Sequence, residues 1–167
     1  VAGGMATPEG RIIGRNEEMV KDVRYPCWLK RGDGCAQQKE DTCYVQNEQE
    51  AEALLKEFWL RGITSVVVNE HLKGDLIKFY GVSGTDFFYW FYPSKCGHRS
   101  KFGLEVINGE AQGIAFDAED LKAEADKAAD MLNVPVYGGD CVVSEDGSIR
   151  IIDFNDWPSF APCRDEA

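Results

Sequence analysis

The chain has 167 residues, enough for one good core or two small lobes, and its 44% hydrophobic and 28% charged residues are ordinary for a folded soluble protein. Its 29 acidic against 18 basic residues leave a net charge of −11, which argues against nucleic acid or an anionic membrane as the main partner. No apolar run approaches the about 20 residues of a membrane span, and the start lacks a signal-peptide pattern, so the expectation is a cytoplasmic protein with no membrane contact.

The six cysteines, Cys27, Cys35, Cys43, Cys96, Cys141 and Cys163, contain no Cys-x-x-Cys pair, and several fall in apparent strands. Reduced thiols are therefore expected. Neither the even spacing of Cys27, Cys35 and Cys43 nor the Cys96-Gly97-His98 step supplies the two close ligand pairs of a zinc site. The chain begins at Val1 without a methionine, as a piece of a longer protein would.

From Val1 to Gly10 the residues are small, include Gly and Pro and lack an apolar period, which reads as a flexible lead. Asn16 followed by Glu17 and Glu18 predicts a short helix ending near Arg24. Cys27 to Lys30 reads as a short strand, and Arg31-Gly32-Asp33-Gly34 as a loop flexible enough to fold over a ligand. Lys30, at that strand's end, is suited to hold a phosphate as a point charge; taken alone it reads more readily as a solvated lysine at a strand end.

Asp41 to Val45 is the predicted return strand. Asn47 then caps a helix through Arg61, with Ala51, Leu54, Leu55, Phe58 and Trp59 on one face and Gly62 closing it. Ser65 to Leu72 is a β-branched strand running into Lys73-Gly74-Asp75, and Leu76 to Val82 with Phe87 to Tyr92 forms an antiparallel pair. The aromatic run Phe87 to Tyr92 reads as sheet packing rather than base stacking, because basic residues are not interleaved with it. Pro93 to Lys101 collects Lys95, His98, Arg99 and Lys101, a basic loop that either faces an anionic substrate or lies in solvent.

Phe102 to Ile107 and Ala111 to Phe116, around Asn108-Gly109, predict a further hairpin. Ala118 to Leu132 predicts a helix with Leu121, Ala125, Ala128, Ala129 and Leu132 on its apolar side. The last strands, Val136 to Ser144 and Ser148 to Phe154, join through Glu145-Asp146-Gly147. In the second of them strict alternation sends Ile152 and Phe154 into apolar packing and presents Asp153 and Asn155 together on the other face. Asp140 on the paired strand completes three oxygen ligands for a hard cation.

Pro26-x-x-x-Lys30, Glu70-His71-Leu72, Gly74 to Lys78, Asp140 and Asp153-Phe154-Asn155-x-x-Pro158, in that order, resemble the ATP-grasp superfamily over roughly Arg24 to Phe160. The resemblance implies an α+β fold of two small lobes with mostly antiparallel sheets enclosing a nucleotide cleft. Residues 1–23 would be a lead with a short helix, 24–73 the smaller lobe with its linker, and 74–167 the larger lobe with the metal site. ATP and Mg²⁺, or Mn²⁺ in its place, are the implied cofactors. Lys30 and Lys78 would contact phosphates, Glu70, His71 and Leu72 would meet adenine through backbone groups, and Asp140, Asp153 and Asn155 would bind the metal. Asp75 competes with Leu76 for the position of a ribose contact. The implied reaction activates a carboxylate as an acyl phosphate for attack by an amine or another nucleophile. A nucleotide-binding module without turnover, a kinase acting on a hydroxyl, and a structural domain without ligand remain alternatives. The upstream domain usual in the superfamily is not recognisable, so the chain reads as the grasping lobes alone.

Overall fold

The structure, a computed structural model, describes residues 4–15, 17, 23–96 and 103–165. The helix expected from Asn16 to Arg24 lies largely outside the described residues, as do His98, Arg99, Lys101 and Phe102. Two compact units are formed, Pro8–His71 and the described parts of Leu72–Ala167 with Val1–Thr7. Both are α+β, and every strand pairing in them is antiparallel.

The first unit is a four-stranded sheet of β1 (Gly10–Gly14), β2 (Cys27–Arg31), β3 (Thr42–Val45) and β4 (Ser65–Glu70) in the order β1-β4-β2-β3, with helix α1 (Glu48–Leu60) between β3 and β4. Alternation along the strands places Ile13, Cys27, Leu29, Val45, Val66 and Val68 on one face, where Ala51, Leu55 and Phe58 of α1 close the core. Asn47 caps α1 by accepting from the Glu50 amide at 3.0 Å. Gly62, at φ +82, ends it, and the Ile63 amide donates back to Phe58.

The second unit contains β5 (Asp75–Val82), β6 (Phe88–Phe91), the four-residue helix α2 (Pro93–Cys96), α3 (Ala118–Leu132), β7 (Val136–Val143) and β8 (Ile149–Asp156), with sheet order β6-β5-β7-β8. Leu121, Ala125 and Ala129 of α3 pack on Ile77, Phe79, Tyr137, Cys141 and Ile151, so this face of the sheet is apolar apart from Asp75 at the start of β5. Burial pushes the Cys27 thiol up to about 11, and burial likewise pushes the Cys141 thiol upward, so these two cysteines behave as small apolar core residues. All six cysteines are free thiols.

Two expectations are corrected here. The lead expected over Val1 to Gly10 is tied down from Ala6 on, where the Ala6 carbonyl accepts from the Ile151 amide at 2.8 Å and the Glu9 carbonyl from the Glu70 amide at 3.0 Å, and it runs on into the edge strand Gly10–Gly14, paired with β4, with Ile13 buried. The hairpin expected at 102–116 is also absent among the described residues, where Leu104–Ile107 is a 3₁₀ helix followed by irregular chain. The physical reason is Asp75. Its side chain is buried, the residue being 2% exposed, and its carboxylate accepts from the amides of Gln112, Gly113 and Ile114 at 2.7, 2.7 and 2.8 Å. Those amides are thereby withdrawn from any strand ladder.

Burial disfavours the Asp75 carboxylate, but the amide bonds from Gln112, Ile114 and Gly113 outweigh it and hold the pKa below the ordinary range. Because the folded pKa lies below the unfolded one, this contribution is complete above about pH 4 and is lost as pH falls through the folded value. Asp75→Asn is expected to cost on the order of 3 kcal/mol at neutral pH in urea unfolding. The variant should also lose less further stability than the parent between about pH 5 and 3; equal acid sensitivity would show that Asp75 is not the titrating anchor.

Candidate functional site

The second unit's sheet owes its polar face to one irregularity. Pairing of β7 with β8 runs Val143 to Ile149, Val142 to Arg150 and Cys141 to Ile151, then resumes at Asp140 to Asp153. Ile152 is thus the extra residue of a β-bulge, which re-aims the side chains that follow. Ile151 faces α3, and Phe154, three residues on, returns to the same face against Phe79 and Tyr137. Unbroken alternation from Ile151 would have sent Asp153 into that core. The expectation that Ile152 points into apolar packing is corrected: Ile152 is the half-buried bulge residue, and Ile151 takes the core position.

Beyond the bulge, Lys78 of β5 lies opposite Asp140 of β7, and Asp140 opposite Asp153 of β8. Side chains of directly paired residues share a face, so the three form a row across the sheet. Lys78 Nζ lies 2.7 Å from Asp140 Oδ1, and the two side chains are only 17% and 22% exposed. Burial opposes the Lys78 ammonium, but the charge and hydrogen bond of Asp140 outweigh burial and raise its pKa. Asn155 Nδ2 donates to Asp153 Oδ2 at 2.7 Å, and both residues are exposed. Next to the row, Tyr80 stacks on Phe91 and meets Phe160, so an aromatic cluster covers the adjoining part of this face. Gly138 permits that closeness, since a Cβ there would come within 2.9 Å of Pro158 and 3.0 Å of Tyr80.

In the first unit, Lys30 lies on the sheet face away from α1, paired with Thr42 and Val67. Trp28, two residues earlier, shares that face. Trp28 packs edge-on to Tyr44 at 5.3 Å, Tyr44 packs edge-on to His71 at 5.1 Å, and Trp28 Nε1 donates to His71 Nδ1 at 3.2 Å. His71 therefore carries its ring proton on Nε2 when neutral. The loop after Lys30 is tied down rather than loose. Asp33 accepts from the Thr64 amide at 2.8 Å and from Arg31 Nε at 2.6 Å, and the Gly32 amide donates to Ser65.

At the inter-unit segment, the Glu70 amide donates to the Glu9 carbonyl at 3.0 Å and the His71 amide to Pro26 at 3.3 Å. The Glu70 carboxylate accepts from the Glu9 amide, and the Leu72 carbonyl accepts from Asn108. Asp75 is corrected as a ribose contact: its carboxylate is buried and saturated by three amides.

Of the sequence-derived residues, Lys78, Asp140, Asp153 and Asn155 are brought together on one face of one sheet, and Lys30 stands beside an aromatic cluster in the other unit. Trp28 and Tyr44 join Lys30 on its face: the two-residue spacing of Trp28 and Lys30 is visible in the sequence, whereas Tyr44 is added only by the pairing of β2 with β3. Among the described residues no group of three or more His, Cys, Asp and Glu side chains is placed to hold a metal. The donor set here is two carboxylates and one carboxamide, all oxygen-bearing, which fits a hard cation that fills its remaining positions with water or phosphate oxygens.

Neither a protein-family model nor a curated protein matches the sequence. Solved structures do resemble it. The D-alanine-D-alanine ligase from Coxiella burnetii superposes with a TM-score of 0.66 at 14% identity, over 97% of this chain and 46% of that one. The D-alanine–D-alanine ligase from Bacillus anthracis complexed with ATP gives 0.67 at 18% identity, over 95% and 52%. A RimK domain ATP-grasp protein from Sphaerobacter thermophilus gives 0.62 at 16% identity, over 95% and 55%. This chain spans about half the length of each of these structures.

The bulge makes a direct prediction about β8. Ile151→Ala should cost about 3 kcal/mol in denaturant unfolding and Ile152→Ala about 1 kcal/mol, because only the former empties a core position. The reverse order would restore the unbroken alternation.

Proposed function

We propose, on the premise that this chain has the ATP-grasp fold, that it binds ATP with Mg²⁺ and serves a ligase-type reaction in which a carboxylate is activated as an acyl phosphate. The observation that carries this reading is the row Lys78, Asp140, Asp153 with Asn155 on one face of the second sheet, cationic at one end and oxygen-rich at the other. The likeness to D-alanine-D-alanine ligases, one of them complexed with ATP, supports the nucleotide and the reaction class.

In the second unit, Asp140, Asp153 and Asn155 would hold the metal and Lys78 would meet a phosphate. When bound, Mg²⁺ or Mn²⁺ would offset the charge of the phosphate oxygens. In the first unit, Lys30 offers a second ammonium on a face that Trp28 and Tyr44 make partly apolar, an arrangement suited to a polyphosphate joined to a flat ring. For adenine, the Glu70 and His71 amides are already committed to Glu9 and Pro26. The Leu72 amide, for which no partner is found among the described residues, is the donor proposed for the ring edge.

The chemistry asks these residues to position groups and offset charge rather than to act as nucleophiles. A substrate carboxylate oxygen attacks the γ-phosphorus, the bond to the ADP oxygen breaks, and ADP leaves. An amine then attacks the acyl carbon, phosphate departs, and the amine gives up a proton. Binding of the nucleotide without turnover is the second reading.

Calorimetric titration with ATP, with and without Mg²⁺, followed by ADP release on adding carboxylates and amines, tests the proposal. Binding with ADP release is the expected result, and binding without release selects the second reading. Absence of ATP binding under both conditions overturns both.

Asp153→Asn, at an exposed position, is expected to leave the fold intact and remove the Mg²⁺-dependent part of ATP affinity; an unchanged Mg²⁺ dependence would exclude Asp153 as a ligand. Lys30→Ala should weaken ATP about tenfold, or about 1.4 kcal/mol, while leaving adenosine nearly unaffected. Equal losses for the two ligands would remove Lys30 from the phosphate contacts.

A further inference from the structure

Two carboxylates paired directly across adjacent antiparallel strands repel unless a cation stands with them. In this sheet that cation is supplied by the chain itself. Lys78 Nζ sits 2.7 Å from Asp140 Oδ1, an oxygen buried from solvent, and Asp140 is the middle member of the row between Lys78 and Asp153. The other carboxylate is also engaged, because Asn155 presents its amide nitrogen, not its oxygen, to Asp153 Oδ2 at 2.7 Å. Unloaded, one ammonium and one amide donor thus each occupy one oxygen of the two carboxylates, and both compete with an incoming metal.

We infer that Lys78 is the resident cation of the Asp140–Asp153 pair, and that a divalent metal enters by exchange, displacing Lys78 from Asp140 and releasing it to an anionic ligand. The inference rests on the metal-site reading above and adds an order of dependence to it. Metal alone competes with Lys78 for the Asp140 carboxylate, which lowers its affinity. A polyphosphate that accepts the released ammonium restores the lost interaction, so metal and polyphosphate strengthen each other, and by linkage the strengthening is reciprocal. Entry of the metal also requires the Asn155 carboxamide to turn its oxygen inward, which releases its hydrogen bond to Asp153. If Lys78 instead kept its contact with Asp140, the metal would engage Asp153 and Asn155 alone and the coupling would vanish.

The test measures binding of Mn²⁺ alone, then Mn²⁺ with inorganic tripolyphosphate, to the folded parent chain and to Lys78→Met. Lys127→Met serves as the matched-charge control, since Lys127 is an exposed lysine on α3 that bonds Glu124 and the Gly4 carbonyl. Removal of Lys78 is expected to tighten Mn²⁺ alone about tenfold, against less than about twofold for the control. In Lys78→Met the mutual strengthening of Mn²⁺ and tripolyphosphate should fall severalfold. Equal Mn²⁺ affinities for Lys78→Met and Lys127→Met would overturn the exchange. No Mn²⁺ binding by the parent or by Lys78→Met, with or without tripolyphosphate, would overturn the metal-site reading itself and the exchange with it.

A second measurement needs no loss of the lysine. In the parent chain, Mg²⁺ with tripolyphosphate should shift the Lys78 side-chain NMR signal, identified by its disappearance in Lys78→Arg. A stationary signal on saturation with Mg²⁺ and tripolyphosphate would likewise overturn the exchange.

Discussion

Asp140 and Asp153 face each other across β7 and β8, and Lys78 of β5 holds the first of them. The polar face of the second sheet depends on this row. Partly buried charges are costly to leave unpaired, so Lys78 and Asp140 constrain β5 and β7 as well as each other's rotamers. The row exists because Ile152 is accommodated as a bulge: Ile151 and Phe154 both reach the α3 side, and Asp153 is turned away from it. A single extra residue thus separates an apolar face from a charged one in a strand of eight residues.

Carboxylates recur as anchors elsewhere in the molecule. Asp75 gathers three amides of the 112–114 chain, and Asp41, fully buried, accepts from the Gln37 and Gln38 amides and pairs with Arg61. Burial opposes ionisation of Asp41, and its bonds to Gln37, Arg61 and Gln38 outweigh burial and lower its pKa. In both places a short irregular stretch is fixed by a buried carboxylate acceptor rather than by an apolar core of its own.

What the sequence made legible were the features that rest on local chemistry. The periodicity of α1 and of α3, the Asn47 cap, the Gly62 terminator and the Asp146-Gly147 turn each act within a few residues and are present in the fold, except that Leu132, at the end of α3's apolar stripe, is exposed. Asp153 and Asn155 were correctly placed on one face because no irregularity intervenes between them. The bulge at Ile152 was hidden because two adjacent isoleucines are compatible with either register, and only pairing with β7 decides between them. Asp75 was misread for a related reason: its partners lie 37 to 39 residues away and are backbone amides, which leave no side-chain signature. The edge strand Gly10–Gly14 was obscured by its flanking glycines, although Ile12 and Ile13 lie between them.

The two faces of the second sheet also imply two kinds of inherited damage. A change beneath α3, at Phe79 or Ile151 for instance, lowers the fraction of chains that are folded, and in a cell this appears as reduced abundance of a protein whose surviving copies are normal. On the proposed metal-site reading, a change at the exposed residues Asp153 or Asn155 leaves abundance nearly intact and alters every copy alike. Chaperone supply or lower temperature would rescue the first class and leave the second untouched, so a genetic screen scored at two temperatures would trace the alternation of β7 and β8 without any structure.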